Sequence, residues 1–216
     1  MKTISTTIAL LFCLSCAFGQ QNKAPDNEAA EKFKAYNRTV SITKDNNSIV
    51  VSVNEAEGPG IAWINGWQFT EGTIEFDVKG RDLLQQSFVG IAFHGVNDTT
   101  YEAVYFRPFN FKTTDPVRKL HAVQYIANPQ FDWLKLRTDF NNQYEKPVNP
   151  VPNPDQWFHA RVEIKGNMIS VFVNHNPLPS LTVKQVVDLQ GNMIGYWAGN
   201  GSNGNWKNLT ITALKK

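Results

Sequence analysis

Short apolar stretches with a period of two recur along most of this chain, and that rhythm limits its fold more than any other feature. They fall at residues 40–44, 48–53, 73–78, 88–94, 101–107, 120–127, 157–164, 168–173, 181–186, 193–198 and 206–213. Alternation between apolar and polar side chains is the mark of a half-buried strand. Turn residues separate the stretches, among them Asn46-Asn47, Gly58-Pro59-Gly60, Gly166-Asn167, Gly191-Asn192 and Gly201-Ser202-Asn203-Gly204. No window after Tyr36 carries a sustained helical stripe. Many short strands without helical crossovers predict an all-β antiparallel sandwich, two sheets face to face.

The N-terminal segment lies outside this rhythm. Met1-Lys2, the apolar run from Ile8 to Cys16 and Ala17-Phe18-Gly19 before Gln20 have the layout of a secretory signal peptide over residues 1–19. The run is too short to span a bilayer. A lipid anchor is the weaker alternative, because Cys16 has Cys13 where a lipoprotein signal wants leucine, and Phe12 crowds Cys13. Residues 20–36 are polar and read as a tether, which leaves residues 37–216 as the folded domain. Both cysteines belong to the leader, so the exported domain, secreted or periplasmic, works without disulfides.

Charge excludes one class of partner. The 21 Lys and Arg residues stand against 19 Asp and Glu, a formal net charge of +2, with none of the basic excess of a nucleic-acid binder.

Alternation also sorts the side chains by face. In 157–164 the core set is Phe158, Ala160, Val162 and Ile164, leaving Trp157, His159, Arg161 and Glu163 opposite. In 88–94 the core set is Val89, Ile91 and Phe93, with Phe88, Gly90, Ala92 and His94 outward; in 101–107 it is Val104 and Phe106, with Tyr101, Tyr105 and Arg107 outward. A plain solvated face carries Thr, Lys, Ser and Glu, so faces rich in Tyr, Trp, His and Arg point to a ligand surface. Two connections are longer than a sandwich needs. Residues 108–119 include Asn110, and 128–156 carry Phe131, Trp133, Leu134, Leu136, Arg137, Phe140, Tyr144 and Glu145 among five prolines. Long aromatic loops in a compact domain are binding loops, or else lids of satellite core over a sheet.

The stretches Gly72-Thr73-Ile74-Glu75-Phe76-Asp77-Val78, Phe88 to His94, Trp157 to Ile164 followed by Ile169 to Asn174, and Gly195-Tyr196-Trp197 to Ile211 resemble the concanavalin A-like lectin and glucanase superfamily, near laminin-G-type domains. Among its members, the chain is most similar to secreted bacterial 3-keto-disaccharide hydrolase-like domains. The resemblance implies a jelly roll with one concave face that holds a glycan. It implies no obligatory cofactor, although a structural calcium is compatible with it.

Three function classes follow. A carbohydrate-binding module would use Tyr105, Asn110, Gln124, Trp133, Tyr144, His94, Trp157, His159 and Arg161 as contacts. A glycoside hydrolase or lyase would draw acid-base and charge-neutralising groups from His121, Tyr125, Arg107 and Arg137. A noncatalytic adhesion domain would present an apolar patch and no deep cleft. Glu75-Phe76-Asp77 begins like the Glu-x-Asp-x-x-Glu signature of family 16 glycoside hydrolases, but Gly80 occupies the last position, so the acid of a two-carboxylate mechanism is missing. The four histidines lack metal-ligand spacing, so zinc is not expected. The oligomeric state has no signal in the sequence.

Overall fold

A computed structural model describes residues 31–46 and 48–214, so the leader reading for 1–19 and most of the tether fall outside the described residues. In chain order the strands are β1 (Phe33–Tyr36), β2 (Val40–Asp45), β3 (Ser48–Val53), β4 (Gly60–Ile64), β5 (Gly72–Lys79), β6 (Val89–Gly95), β7 (Tyr101–Phe106), β8 (Val123–Asn128), β9 (Glu145–Lys146), β10 (Phe158–Lys165), β11 (Met168–Val173), β12 (Leu181–Lys184), β13 (Met193–Ala198) and β14 (Gly204–Ala213). Two short α-helices, α1 (Pro116–Lys119) and α2 (Trp133–Asp139), and a 3-10 turn at Pro108–Asn110 lie in the long connections.

The strands form two antiparallel seven-stranded sheets, one in the order β1-β4-β13-β6-β7-β8-β9 and the other β12-β11-β10-β5-β14-β3-β2. This is the predicted jelly-roll sandwich. In the second sheet the alternation is clean: Ile74, Phe76 and Val78 of β5 pair with Val162, Ala160 and Phe158 of β10, all facing inward. Across the core Phe158 meets Phe106 at 5.0 Å, and Tyr196 stacks on Trp206 at 5.1 Å between ring centroids. Trp206 Nε1 donates to Gly90 O at 3.1 Å, which satisfies the ring's one polar atom inside apolar surroundings. Each such ring contributes roughly 1.5–3 kcal/mol by leaving water.

The first sheet departs from the alternation. Strands β6 and β7 are buried on both faces, because the outer face is covered by long connections rather than by solvent. That double burial hid β4, whose run Gly60–Ile64 lacks a polar face. Strand β1, read from the sequence as the end of the tether, pairs with β4 at the edge of this sheet. Strand β8 begins at Val123 instead of residue 120. Asp115 caps α1 by accepting from Val117 N and Arg118 N, and His121 follows in a turn that hydrogen-bonds back to Arg118 O. His121 therefore lies outside the strand that carries Tyr125.

One glycine governs the outer face of the first sheet. Gly90 lies between Tyr105 of β7 and Trp197 of β13 in register, and a Cβ there would come within 2.0 Å of Val104 O. Strands two apart are separated by roughly 9–10 Å. With no side chain between them, the rings of Tyr105 and Trp197 lean together to 4.7 Å.

Candidate functional site

A cleft of about 880 Å³ opens on the outer face of the first sheet. Tyr105, Tyr101 and Trp197 make its floor, and six inter-strand connections make its walls, including Phe88, Asn110 and Trp133. The floor rings are locked. Trp197 Nε1 donates to Tyr101 Oη at 3.0 Å, Asn128 Nδ2 donates to the same oxygen at 2.8 Å, and Phe88 packs edge-on to Tyr105 at 6.1 Å. Tyr101 and Tyr105 are each only 2% exposed and Trp197 5%, so the floor offers ring edges. The accessible aromatic face belongs to Trp133, 45% exposed on the wall. Trp133 opens α2, whose first turn Asp132 caps by accepting from Lys135 N at 2.8 Å. The Arg137 guanidinium one turn later lies over the indole at 5.1 Å, a spacing set by the helix.

One end of the cleft is a connected polar network. Glu145, 2% exposed, accepts from Arg137 Nε and Nη2 at 2.7 Å each, a bidentate pair, and Arg107 Nη1 lies 3.6 Å from it. Arg107 Nη2 donates to Tyr105 Oη at 2.7 Å and to Gln124 Oε1, and its Nη1 donates to His121 O at 3.0 Å. Tyr105 Oη donates to Gln124 Oε1 at 2.9 Å. Asn110 Nδ2 reaches His121 O at 3.2 Å, and Arg118 Nε donates to Asn110 Oδ1 at 3.1 Å. The bonds to Glu145 hold the Arg137 pKa above its ordinary value, whereas burial lowers that of Arg107.

His121 is the network's titratable member. Burial, then the flanking Arg137 and Arg107, lower its pKa despite Glu145, so the ring is neutral near pH 7. Its Nδ1 lies 2.8 Å from Glu145 Oε2 but off the line of a hydrogen bond.

Three of the four predicted catalytic residues, Arg107, His121 and Arg137, thus converge, together with the predicted contacts Tyr105, Asn110, Gln124 and Trp133. Tyr125 does not join them. Its hydroxyl points between the sheets and donates to Glu102 at 2.7 Å, and burial raises its pKa far above the ordinary tyrosine range. His94 also leaves the predicted outer face. A positive φ of 50° breaks its alternation and turns the ring inward, where Nδ1 meets Glu102 at 3.0 Å and Nε2 meets Thr70 O at 2.6 Å. Tyr144 packs on Phe140 and Tyr125 behind the cleft. His159 and Arg161 lie on the outer face of the second sheet, where Asp77 holds His159 at 3.0 Å and Arg161 covers Phe172 at 3.9 Å. Trp157 sits at the end of β10 in that same sheet, under Lys207 at 4.5 Å. These three face away from the cleft because β10 belongs to the other layer. Glu75 and Asp77 share that distant face. Sequence reasoning did not single out Glu145, Arg118 or Trp197 as site residues; alternation beside Tyr196 carried a signal only for Trp197.

Among the described residues, no group of three or more His, Cys, Asp or Glu side chains is placed to hold a metal ion, so a structural calcium finds no carboxylate set there. No helix among them is long and apolar enough to cross a membrane.

No protein-family model matches the chain, and no curated protein matches it. Its fold is shared widely among solved structures. The carbohydrate-binding module CBM66 from Bacillus subtilis superposes with a TM-score of 0.59 at 12% identity, over 84% of this chain and 96% of that one. A Bacillus subtilis protein of unknown function with a galectin-like fold gives 0.55 at 12%, over 87% and 91%. The exoplasmic/lumenal domain of VIP36, bound to calcium and Man3GlcNAc, gives 0.53 at 12%, over 85% of each chain. The chain therefore shares the two-sheet jelly-roll fold of these structures.

Proposed function

We propose that this protein is an exported carbohydrate-recognition domain whose glycan lies in the cleft against Trp133. The observation that carries the reading is the placement of one exposed indole on a cleft wall, with one face held by Arg137 and polar side chains lining the same cleft. A sugar ring needs that combination: an apolar face to stack its C–H bonds on, and convergent donors and acceptors for its hydroxyls. The shared fold of CBM66 and of the mannose-glycan complex of VIP36 supports this reading, and the leader-like residues 1–19 support export. Replacing Trp133 with Ala tests it. The variant keeps its melting temperature within a few degrees, because the ring is half exposed, and loses roughly 30-fold in glycan affinity, as expected for an aromatic anchor of about 2 kcal/mol. Unchanged affinity with a large drop in melting temperature would make Trp133 a core residue and end the proposal.

A second reading, glycan cleavage, is favoured by one observation. His121 is neutral and lines the cleft beside Glu145, as a general base requires. A screen that scores product release together with binding on the same polysaccharides separates cleavage from simple recognition.

A further inference from the structure

Counting charges in direct contact at the polar end of the cleft gives an imbalance. Three guanidinium groups, Arg107, Arg118 and Arg137, line this end against one carboxylate, Glu145, which pairs with Arg107 and Arg137 but not with Arg118. His121, as an imidazole, supplies no negative charge. The other acidic wall residues are engaged elsewhere: Asp132 caps α2, and Asp98 accepts from Trp63 Nε1 at 2.9 Å and pairs with Lys34 at 3.3 Å. Asp82 shares a second hollow of about 300 Å³ with Arg118 but forms no ion pair with it.

The donors sort into used and unused. Arg107 is held by Tyr105, Gln124 and the His121 carbonyl and is buried beside Glu145, 3.6 Å from its Nη1. Arg137 spends Nε and Nη2 on Glu145. Arg118 spends Nε on Asn110 and Nη2 on Phe109 O at 2.9 Å. Nη1 of Arg118 and Nη1 of Arg137 have no hydrogen-bond partner among the described residues, and Arg118 has no carboxylate there. Both side chains line the cleft. Backbone and amide oxygens hold the Arg118 fork in place without neutralising it.

We infer that this end of the cleft recognises an anionic substituent on the glycan, a carboxylate or a sulfate ester, with Arg118 as its principal contact. The inference rests on the cleft being a glycan site. An anion there satisfies the unused guanidinium N–H groups with charge-assisted hydrogen bonds, about twice as strong as neutral ones, whereas a neutral sugar leaves the excess positive charge in place.

Affinity electrophoresis of the purified protein tests this against matched polymers. Polygalacturonate and its methyl ester form the carboxylate arm, dextran sulfate and dextran the sulfate arm, and alginate, chondroitin sulfate and a panel of neutral polysaccharides widen the search. The expected result is retention by acidic polymers over neutral ones, with the arm that binds identifying the anion. That retention weakens as NaCl is raised from about 50 to 500 mM, because screening shortens the Debye length. Arg118→Gln weakens it at least about tenfold, and Arg118→Lys restores part of the loss. Melting curves of both variants separate lost binding from a lost fold. Retention by neutral polymers alone, or acidic retention that survives Arg118→Gln, overturns the inference and leaves the glycan cleft standing. Retention of neither class overturns both.

Discussion

The buried carboxylate of Glu145 is where the cleft is most vulnerable, and Glu145→Gln measures how far it holds the polar end together. The substitution preserves shape and one carbonyl acceptor while removing the charge. Arg137 then keeps one of its two bonds at 2.7 Å, and Arg107, 5% exposed, loses the carboxylate 3.6 Å away. Breaking a buried pair by removing one partner costs about 3–5 kcal/mol. Arg137 is 30% exposed at its side chain and recovers part of that from water, which brings the expected loss to about 2–3 kcal/mol. For a domain of this size each kcal/mol moves the melting temperature by about 2–4 °C, so calorimetry is expected to show a drop of roughly 4–12 °C. The indole of Trp133 loses its fixed cation at the same time, so glycan affinity falls with stability. A variant that melts within about 2 °C of the parent would refute the argument, because Arg107 would then be tolerated in the interior without its countercharge.

Further outcomes follow from the sheets. Gly90→Ala drives a methyl group toward Val104 O and costs about 3 kcal/mol or more, read as a lower melting temperature or loss of soluble protein. The His94–Glu102 pair predicts a pH dependence. Burial acts to lower the His94 pKa, but the hydrogen bonds to Glu102 and Thr70 O and the Glu102 charge outweigh it, leaving the value above 6.5. A raised folded-state value contributes stability that is complete below the unfolded pKa and is lost as pH rises through the folded one. Unfolding titrations between pH 5 and 9 should therefore show a decline that His94→Gln removes, and a flat parent profile would count against the buried pair.

Most of the fold was legible because β5, β10 and β11 each keep one wet face, and wet faces write themselves into sequence as alternation. Strand β4 left no such trace, since Ile61, Ala62 and Trp63 are all buried. The site was legible in part for the same reason. Tyr105 and Arg107 could be placed on one face by parity, but parity does not say which of two sheets a strand joins, so His159 and Arg161 appeared equivalent to them. Nor does it survive a residue with positive φ, which is how His94 moved from the outer face to the interior. Glu145 and Arg118 lie within stretches whose alternation is too short to read, 128–156 and 108–119, and only the folded chain brings them to this end of the cleft.

The anchoring of Arg107 has a thermodynamic consequence for any ligand. Its guanidinium already sits over Tyr105 at 4.8 Å and Phe88 at 5.6 Å and donates to three oxygen acceptors, so it does not swing out to meet an incoming group. What it supplies is a standing field, present before the encounter and unchanged by it. Association at this end of the cleft therefore costs the protein little rotamer entropy, since only Arg118 and the outer edge of Arg137 remain to be ordered.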